Sequence, residues 1–544
     1  MKYIELFAGC GGLSLGLESA GYELIFANEL SPMASETYAF NLLNEDLNEI
    51  AKRKDEAPSR TKWISSEFPI DRIESRLREN PQNYPPFGSG YTELTKKLND
   101  IRGNLLVGSV IELNKYLSAE KSLRDEIVKE DIDLVSGGPP CQSFSLAGMR
   151  QLTNSRNTLP MDFAEFVGKV KPKIALLENV SGILRPFKAV GASYYAWFEV
   201  ARAFAIQGYY PICLHINAKY VGTAQNRPRF ILISLREDIF RQFREQVTAK
   251  DRSALGEALD ESMNFFEKEI SGKETSPFSD LNYYDIEKNS ELFSDPIFSQ
   301  LNKFTPNSFY SVKDAIDDLR ENRSRRYASR YANFLESEIL CTRQIYEAGY
   351  ITANTKLRRS SKVPTMRFRL YQILAMATQK GNPKIEKETR KFLRNMSESD
   401  ISNLTLDFLR NSQIIYLEEM EKQKIGTRKQ MLEYLKLLST KKQTQRALIS
   451  NKPAPAALSI PDDACHYDFE LPRTLTIREM ARFQSFPDWF EFRSKETTGG
   501  QMRKFEVPQY TQIGNAVPPL LGKALGETVA RILVAPPKNN SIRS

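Results

Sequence analysis

The sequence predicts an α/β fold built on a parallel, doubly wound sheet. Short apolar segments that are typical of strands alternate with segments of helical periodicity. A glycine-rich break separates the first two of these strands, and reactive side chains follow several of them. The predicted strands cover residues 2–6, 23–27, 105–110, 132–136, 174–177 and 230–234.

The chain opens with a predicted βαβ unit. The strand at 2–6 is followed by the glycine-rich break at 9–12, a helix at 13–20 and the strand at 23–27. Glycines in such a break let the backbone approach a ligand, and an acidic side chain beyond the second strand can accept ribose hydroxyls. Glu29, seventeen residues after Gly12, occupies that place. The unit therefore predicts a nucleotide-like ligand.

A candidate nucleophile follows the strand at 132–136. Residues 137–145 have the sequence Gly-Gly-Pro-Pro-Cys-Gln-Ser-Phe-Ser. The two prolines fix φ and remove two backbone donors, so the loop is stiff. A thiol in a stiff loop at the ligand edge of a sheet suggests that Cys141 is a positioned nucleophile. The ordinary alternative is burial, because free cysteine is among the most buried residue types.

Glu178 is a second candidate, since it ends the apolar strand that begins at residue 174. A carboxylate in such a place is costly unless it is paired or used, and a capping or ion-paired glutamate is the alternative interpretation. Parallel strands end at one edge of a sheet, so Glu29, Cys141 and Glu178 can converge there.

Three polar residues precede the strand at 230–234. Gln225, Arg227 and Arg229 alternate along the chain, and a period of two would place all three on one face. The pattern supports a site at this edge, although surface arginines at such spacing are common.

Charge is unevenly distributed along the chain. The net charge is +8, yet residues 341–450 hold 22 Lys and Arg against 10 Asp and Glu, a balance of +12 that leaves −4 for the remainder. A slightly acidic body with one basic region suggests a polyanionic partner for that region. A solvated helical surface is the alternative.

The cysteine and histidine content favours a reducing compartment and disfavours a metal site. Five cysteines are scattered without metal-ligand spacing, and the chain has two histidines. No stretch of 18 apolar residues offers a membrane span. We expect a cytoplasmic monomer with no bound metal and no membrane contact.

Taken in order, the motifs resemble those of the bacterial-type DNA (cytosine-5)-methyltransferases. The resemblance implies a Rossmann-like, S-adenosylmethionine-dependent methyltransferase sheet with a second, smaller target-recognition domain. The segments that carry it are 5–12 (Glu-Leu-Phe-Ala-Gly-Cys-Gly-Gly), 139–142 (Pro-Pro-Cys-Gln), 178–180 (Glu-Asn-Val), 225–229 (Gln-Asn-Arg-Pro-Arg), 473–487 and 512–518 (Gln-Ile-Gly-Asn-Ala-Val-Pro).

The resemblance implies a catalytic role for five residues. Cys141 would attack C6 of cytosine, and Glu178 would hydrogen bond or protonate N3 as charge develops. Arg229 would contact O2 of the base, Arg227 would support the pocket, and Asn179 would orient the loop. Because these atoms are inaccessible in a stacked duplex, the base must be flipped out.

The resemblance also implies which residues bind S-adenosylmethionine. Phe7 would contact the adenine, Glu29 the ribose, and Asn515 the methionine end. Where many members have an acidic residue for the adenine amino group, this chain has Ser109, and Glu5 stands for the more common Asp. The remaining cofactor residues implied are Gly9, Cys10, Gly11, Gly12, Val110, Pro140 and Leu159.

Four regions follow from these assignments. Residues 1–236 would form the catalytic and cofactor-binding domain, with an insertion at about 45–100, and 237–470 the basic, helix-rich recognition domain. Residues 471–500 would form a hinge, and 501–544 would return to the catalytic domain.

Double-stranded DNA is the implied partner, and a restriction endonuclease acting on the same site is a further candidate. The residues expected to contact DNA are Gln142, Ser143, Gln225, Arg358, Arg359, Arg367 and Arg369.

Three other functions are compatible with parts of the sequence. A nicotinamide oxidoreductase shares the opening unit but has no use for Pro-Pro-Cys followed by Glu-Asn-Val. The tRNA-directed branch of the same family usually has a compact recognition region and a Cys-Phe-Thr signature, which this chain lacks. A catalytically inactive DNA-binding relative would not be expected to keep both Cys141 and Glu178.

Overall fold

The structure is a computed structural model, and most of the 544 residues can be described. The described residues are 1–53, 56–140, 158–189, 192–247, 253–271, 278–320, 329–343, 351–412, 425–442, 444–456 and 464–534. Cys141, Gln142 and Ser143 lie outside them, so their assignments remain predictions from the sequence.

A nine-stranded sheet forms the centre of the described structure. Its strands are β1 Lys2–Leu6, β2 Glu23–Glu29, β3 Thr61–Trp63, β4 Asn104–Val107, β5 Leu134–Gly137, β6 Ile174–Val180, β7 Tyr209–Asn217, β8 Pro228–Arg236 and β9 Tyr283–Asp285. They lie in the order β9-β7-β8-β6-β5-β1-β2-β4-β3. Strand β8 is antiparallel to both of its neighbours, and the other pairs are parallel. The predicted α/β class is confirmed.

Helices cover the sheet and extend beyond it. Those in the described residues are α1 Gly12–Ser19, α2 Pro32–Leu42, α3 Leu47–Lys52, α4 Ile73–Leu77, α5 Val110–Ala119, α6 Lys121–Lys129, α7 Leu159–Val170, α8 Ala196–Ile206, α9 Glu237–Val247, α10 Ala254–Ser271, α11 Ser290–Ser294, α12 Val312–Ile316, α13 Arg330–Glu338, α14 Lys362–Gln379, α15 Pro383–Asn395, α16 Asn403–Asn411, α17 Arg428–Leu437, α18 Ile477–Phe483, α19 Gln509–Asn515 and α20 Pro519–Val534. None of the helices in the described part is long and apolar enough to cross a bilayer.

The central strands are buried because they are apolar on both faces, as expected for a sheet covered by helices. The chain's last helix completes this packing, since α20 lies against α1. Gly522 and Gly526 face α1 so closely that a Cβ at either would meet α1 atoms or Ala20 at 3.0 Å. The last described helix of the chain therefore packs against the first one.

Two predicted elements differ from the structure. Val110 was predicted to end a strand but begins α5, because Ser109 ends the extended segment and accepts a hydrogen bond from the Ile111 amide as the helix N-cap. The segment at 45–100 was predicted to be an insertion between sheet elements. Part of it, Thr61–Trp63, forms the edge strand β3 beside β4.

Two separate hydrophobic clusters organise the core. The larger contains the sheet and also buried side chains between Phe240 and Ile339, and β9 pairs with β7. The smaller contains buried side chains between Met366 and Cys465. The expected recognition domain began at residue 237, but the residues up to 339 share the core of the sheet. Apolar side chains on α9 and α10 bury themselves against β7 and α8, which the charge pattern did not reveal.

Candidate functional site

Glu178 and Arg229 form a buried ion pair at the carboxyl edge of the sheet. Glu178 lies near the end of β6, and Arg229 is the second residue of the antiparallel β8. Glu178 Oε1 lies 2.6 Å from Nε of Arg229, and each side chain is 9% exposed. The alternative interpretation of the sequence was that Glu178 is ion-paired and not functional. The structure shows that Glu178 is paired with another residue of the predicted site.

Burial shapes the electrostatics of the arginines. Desolvation lowers the pKa of Arg229, and the carboxylate of Glu178 opposes this shift. The pKa of Arg227 is lowered further, by burial first and by the charge of Arg229 second. The carboxylate of Glu178 is paired with Arg229 alone, so these buried charges leave an excess of positive charge in the region, which favours binding of a group that gains negative charge.

Asn179 connects this pair to the loop that precedes Cys141. Its Nδ2 donates to the carbonyl oxygen of Pro139 at 3.1 Å, and its Oδ1 accepts from the amide of Val180 at 2.8 Å. Pro139 is buried, whereas Pro140 is exposed. The described part of the loop is therefore held against the end of β6 by the residue expected to orient it.

Arg227 is directed elsewhere than Arg229. Its Nη2 donates to the carbonyl oxygens of Gly514 and Ala516, each at 2.9 Å. These carbonyls flank Asn515, which ends α19 and is exposed. Arg227 thus binds the segment expected to close the cofactor site, an arrangement that the sequence pattern did not predict.

Gln225 does not share a strand with Arg229, and Arg227 lies between their two strands. Gln225 and Asn226 pair with Ala454 and Pro455 in a separate two-stranded ladder, whereas β8 begins only at Pro228. Gln225 and Arg229 therefore lie in different ladders, because the chain changes sheets between these positions. Gln225 is fully buried, and its amide N and O have no hydrogen-bond partner among the described residues.

The loop between β1 and α1 has a strained, open backbone. Phe7, Gly9 and Gly11 have φ values of 55°, 57° and 93°. A Cβ at Gly9 would meet no atom within 4 Å, whereas one at Gly12 would lie 2.2 Å from the carbonyl oxygen of Val517. The loop therefore leaves space above Gly9 and touches the C-terminal segment at Gly12. The ring of Phe7 is half-buried and makes an edge contact with Phe163.

Glu29 closes this loop from the end of β2. Its Oε2 accepts from the amide of Gly9 at 2.7 Å, and its Oε1 accepts from the amide of Ser31 at 2.8 Å. Burial raises the pKa of Glu29, and these amides oppose the shift. The carboxylate is thus fixed beside the glycine loop, with further lone pairs available to hydroxyl donors.

The other predicted cofactor residues lie around the same edge. Cys10 is buried, burial raises the pKa of its thiol, and its Sγ points to the carbonyl oxygen of Gln512 at 3.9 Å. Val110 is buried, whereas Ser109 and Leu159 are half-buried at the starts of α5 and α7. Because the Ser109 hydroxyl already caps α5, any contact to an adenine would compete with that cap.

Beneath the loop lies a buried polar network that sequence reasoning missed. The Ser14 hydroxyl donates to Glu5 and lies 3.0 Å from the hydroxyl of Tyr38. Burial raises the pKa of Glu5 to about 8, and Ser14 opposes this. The signal in the sequence was a glutamate inside an otherwise apolar strand.

The arginines expected to contact DNA fall into two groups. Arg358 and Arg359 are exposed. Arg367 instead donates to the carbonyl oxygens of Leu438 and Ser439, at 3.0 and 3.1 Å. Arg369 donates to the carbonyl oxygen of Phe469 and stacks over its ring. Arg367 and Arg369 therefore connect α14 to neighbouring segments.

A basic cavity on α15 was not predicted. It has a volume of about 430 Å³. Lys387, Lys391 and Arg394 line it from one face of α15 and are exposed. Their spacing of four and three residues explains the shared face. The other residues of this cavity, here called the α15 cavity, are Tyr371, Arg390, Leu393, Thr440 and Lys442.

Within the described ranges, no group of three or more His, Cys, Asp or Glu side chains is arranged to hold a metal ion.

Comparison with known proteins gives one matching family and several full-length relatives. The model of the C-5 cytosine-specific DNA methylase family matches residues 1–71 and 111–531. The type II methyltransferase M.DdeI of Desulfomicrobium norvegicum is 25% identical over 97% of this chain and 88% of its own length. M.XorII of Xanthomonas oryzae pv. oryzae is 24% identical over 99% and 86%. M.AgeI of Thalassovita gelatinovora is 25% identical over 97% and 99%.

Proposed function

This chain belongs to the C-5 cytosine-specific DNA methylase family and is a DNA (cytosine-5)-methyltransferase, and we propose that it modifies one cytosine within a specific duplex site by base flipping and covalent catalysis. The observation that carries the mechanism is the buried Glu178–Arg229 pair, which lies beside the loop leading to Cys141. The three relatives named above are type II methyltransferases, which supports a role as the modification enzyme of a restriction–modification system. The proposal includes a cognate endonuclease that acts on the same site, and a cytoplasmic location for both proteins.

The pair fits the two polar edges of a flipped cytosine. Glu178 would contact N3, and Arg229 would contact O2 on the same side of the ring. Attack of the Cys141 thiolate on C6 places negative charge on N3 and O2, and a fixed cation with a hydrogen-bonding carboxyl group stabilises it. C5 then gains nucleophilic character, accepts the methyl group and loses its proton as the bond between Cys141 and C6 breaks.

The glycine loop fits an adenosyl ligand. The open space above Gly9 admits a ligand, the ring of Phe7 offers a stacking surface, and Glu29 presents acceptors for ribose hydroxyls. S-adenosylmethionine supplies the methyl group when bound. The steps proposed here use no metal ion.

Arg227 would couple the two halves of the cofactor site. Its contacts to Gly514 and Ala516 hold the segment containing Asn515 next to β8. Gly12 lies close to Val517 in the same segment. We therefore assign Arg227 a positioning role for the cofactor site, and not a contact to the base.

We propose that the basic region built around the smaller hydrophobic cluster binds the phosphate backbone of DNA. Arg358 and Arg359 remain candidates, together with Lys387, Lys391 and Arg394 of the α15 cavity. Exposed cations on a concave surface can each approach a phosphate. Arg367 and Arg369 would instead stabilise the region itself, since their guanidinium groups bind backbone carbonyls.

Transfer of tritium from labelled S-adenosylmethionine tests the function directly. Label should enter duplex DNA containing the target site, and bisulfite sequencing should place it on one cytosine. Cys141→Ser should abolish the transfer. Incorporation into tRNA and not into DNA would overturn the proposed substrate, and no transfer to either would favour an inactive DNA-binding protein.

A further inference from the structure

A chain of two hydrogen bonds runs from the end of β6 to the edge strand of the sheet. The Ser181 hydroxyl lies 2.9 Å from Nε2 of His215, and Nδ1 of His215 lies 2.8 Å from Oδ2 of Asp285. Ser181 directly follows β6, His215 lies in β7 and Asp285 ends β9. All three side chains are half-buried, and the cytosine chemistry proposed above assigns them no role.

This chain, here called the Ser181 bridge, passes over the strand that carries Arg229. Strand β8 lies between β6 and β7, so Ser181 and His215 belong to strands that are not neighbours. Phe230 of β8 pairs with Asn179 on one side and with His215 on the other. The Ser181 bridge therefore connects both neighbours of β8 at the position next to Arg229.

The Ser181 bridge and the Glu178–Arg229 pair lie on opposite faces of the same strands. Residues opposite one another in a ladder project to the same face, and successive residues alternate. Asn179, Phe230 and His215 form one such row, and Asp285 continues it on β9. Glu178 and Arg229 each neighbour a member of this row, so their side chains project from the other face.

The hydrogen-bond directions in the Ser181 bridge follow from Asp285. A carboxylate only accepts, so Nδ1 of His215 donates to Asp285; in the tautomer with its single proton on Nδ1, Nε2 accepts from the Ser181 hydroxyl. Asp285 thereby fixes the tautomer that receives Ser181. Loss of the Ser181 hydroxyl or of the Asp285 carboxylate would therefore release the chain at position 181, three residues after Glu178.

We propose that Ser181, His215 and Asp285 are positioning residues that hold the end of β6 at the distance from β8 that Glu178 and Arg229 require. This inference rests on the proposed function, because it concerns the rate of methyl transfer. It follows from the positions of these residues. The Ser181 bridge connects β6 and β7, which lie on either side of β8, and so limits movement of β6 relative to β8. Binding of DNA and of S-adenosylmethionine involves other residues and should not depend on the Ser181 bridge.

Single-turnover methylation by the full-length protein tests this assignment. Ser181→Ala should lower the rate constant about fivefold to tenfold, as expected for loss of one hydrogen bond that matters in the transition state. Dissociation constants for duplex DNA and for S-adenosylmethionine should stay within about twofold of wild type, because uniform binding is unaffected. Ser181→Thr keeps the hydroxyl and should restore most of the rate.

Two further sets of variants complete the test. Asp285→Asn keeps an acceptor for Nδ1–H and should be less impaired than Asp285→Ala; this comparison decides if Ser181→Ala does not fold. Ser294→Ala is the matched control, because that exposed serine bonds only within its own helix in the described structure and should be unchanged.

Specific results would overturn the positioning role. One is an unchanged rate constant in Ser181→Ala, and another is a loss of rate in Ser181→Thr as large as that in Ser181→Ala. The third is a weakened affinity for DNA that accounts for the whole loss of rate. Labelling of Ser181 by a fluorophosphonate would identify it instead as a nucleophile, since the same three residue types form hydrolytic triads. A wild-type protein that methylates no DNA would contradict the proposed function itself.

Discussion

Glu178 and Arg229 are diagonal neighbours across the antiparallel ladder between β6 and β8. The residue directly opposite Glu178 is Ile231, two positions after Arg229, and the side chains meet at 2.6 Å between Oε1 and Nε. Such diagonal pairs lie on one face of a sheet and are within reach of long side chains. Strand β8 runs antiparallel to its neighbours in an otherwise parallel sheet. Its second residue, Arg229, therefore lies beside the carboxylate of Glu178 near the end of β6.

Replacement of Glu178 by Gln should impair turnover and spare binding. The amide retains the shape but can neither carry the charge that pairs with Arg229 nor protonate a base. We expect kcat to fall about 10²- to 10³-fold, with the Kd values for DNA and cofactor nearly unchanged. Steady-state kinetics and calorimetry measure both, and the exposed Glu291→Gln serves as control. A change confined to KM would make Glu178 a binding residue.

Cys141 should be trapped on DNA that contains 5-fluorocytosine at the target. After attack at C6 and methylation at C5, fluorine cannot leave as a proton does, so the covalent bond to the enzyme persists. Denaturing gel electrophoresis should show a complex that requires S-adenosylmethionine and is absent in Cys141→Ser. A complex that survives this substitution would identify a different nucleophile.

Arg227→Ala should weaken cofactor binding and lower stability together. The substitution leaves the carbonyls of Gly514 and Ala516 without their buried donor, at a cost of about 3 kcal/mol in the free energy of unfolding. The Kd for S-adenosylmethionine should rise, because the segment around Asn515 is released. Urea unfolding and calorimetry measure the two effects, and the exposed Arg241→Ala is the control. An unchanged Kd would separate Arg227 from the cofactor site.

The α15 cavity should contribute to the salt dependence of DNA binding. Each neutralised phosphate releases counterions, so Lys387→Ala combined with Arg394→Ala should flatten the plot of log K against log salt by about two units. Arg358→Ala with Arg359→Ala is the parallel test for the pair identified from the sequence. Affinity for S-adenosylmethionine should not change in either double variant.

A matched control for these variants is Lys121→Ala with Lys129→Ala. These exposed lysines lie on α6, which directly precedes β5 in the chain. Helix α6 therefore leads to the amino edge of the sheet, opposite the carboxyl edge that carries the candidate site. Their loss changes net charge equally and should leave the slope nearly unaltered. If site preference changed while the slope did not, the cavity would contact bases; if neither changed, it would be a solvated helix face.

Glu5 should make stability depend on pH. Burial raises its pKa from 4.5 to about 8, so the folded state keeps a proton that the unfolded state releases between these values. The unfolded state binds fewer protons there, so the contribution of Glu5 to the free energy of unfolding falls as pH rises from about 4.5 to 8. Glu5→Gln should reduce this fall, measured by urea unfolding at several pH values. An unaltered pH profile would show that Glu5 does not titrate in this range.

Local patterns were sufficient to predict the strands that carry the site. The apolar segment before Glu178, the glycine break before α1 and the proline-rich loop before Cys141 each specify local structure through their own residues. The end of β6 lies three residues beyond the predicted apolar run, because Glu178 and Asn179 find partners that a single strand cannot supply.

Other features depend on residues that are distant in the chain. Gln225 and Arg229 were placed on one face, but their strands pair with Ala454 and with β6, so a change of sheet separates them. The charge pattern indicated a basic region, yet Arg367 and Arg369 bind carbonyls whose positions follow from packing. Segments after residue 237 joined the first core because their apolar side chains are buried against the sheet.

The sequence by itself determined the α/β class and the family, and it placed Glu29 and Glu178 at the ends of strands, because periodicity and short motifs act within a few residues of one another. Only the tertiary structure decided how those residues are partnered: Glu178 with Arg229, Arg227 with the segment around Asn515, and Ser181 with His215 and Asp285. Each partnership joins separate strands or segments. Its geometry depends on strand order and register, and these are fixed by burial of the whole sheet rather than by any local pattern.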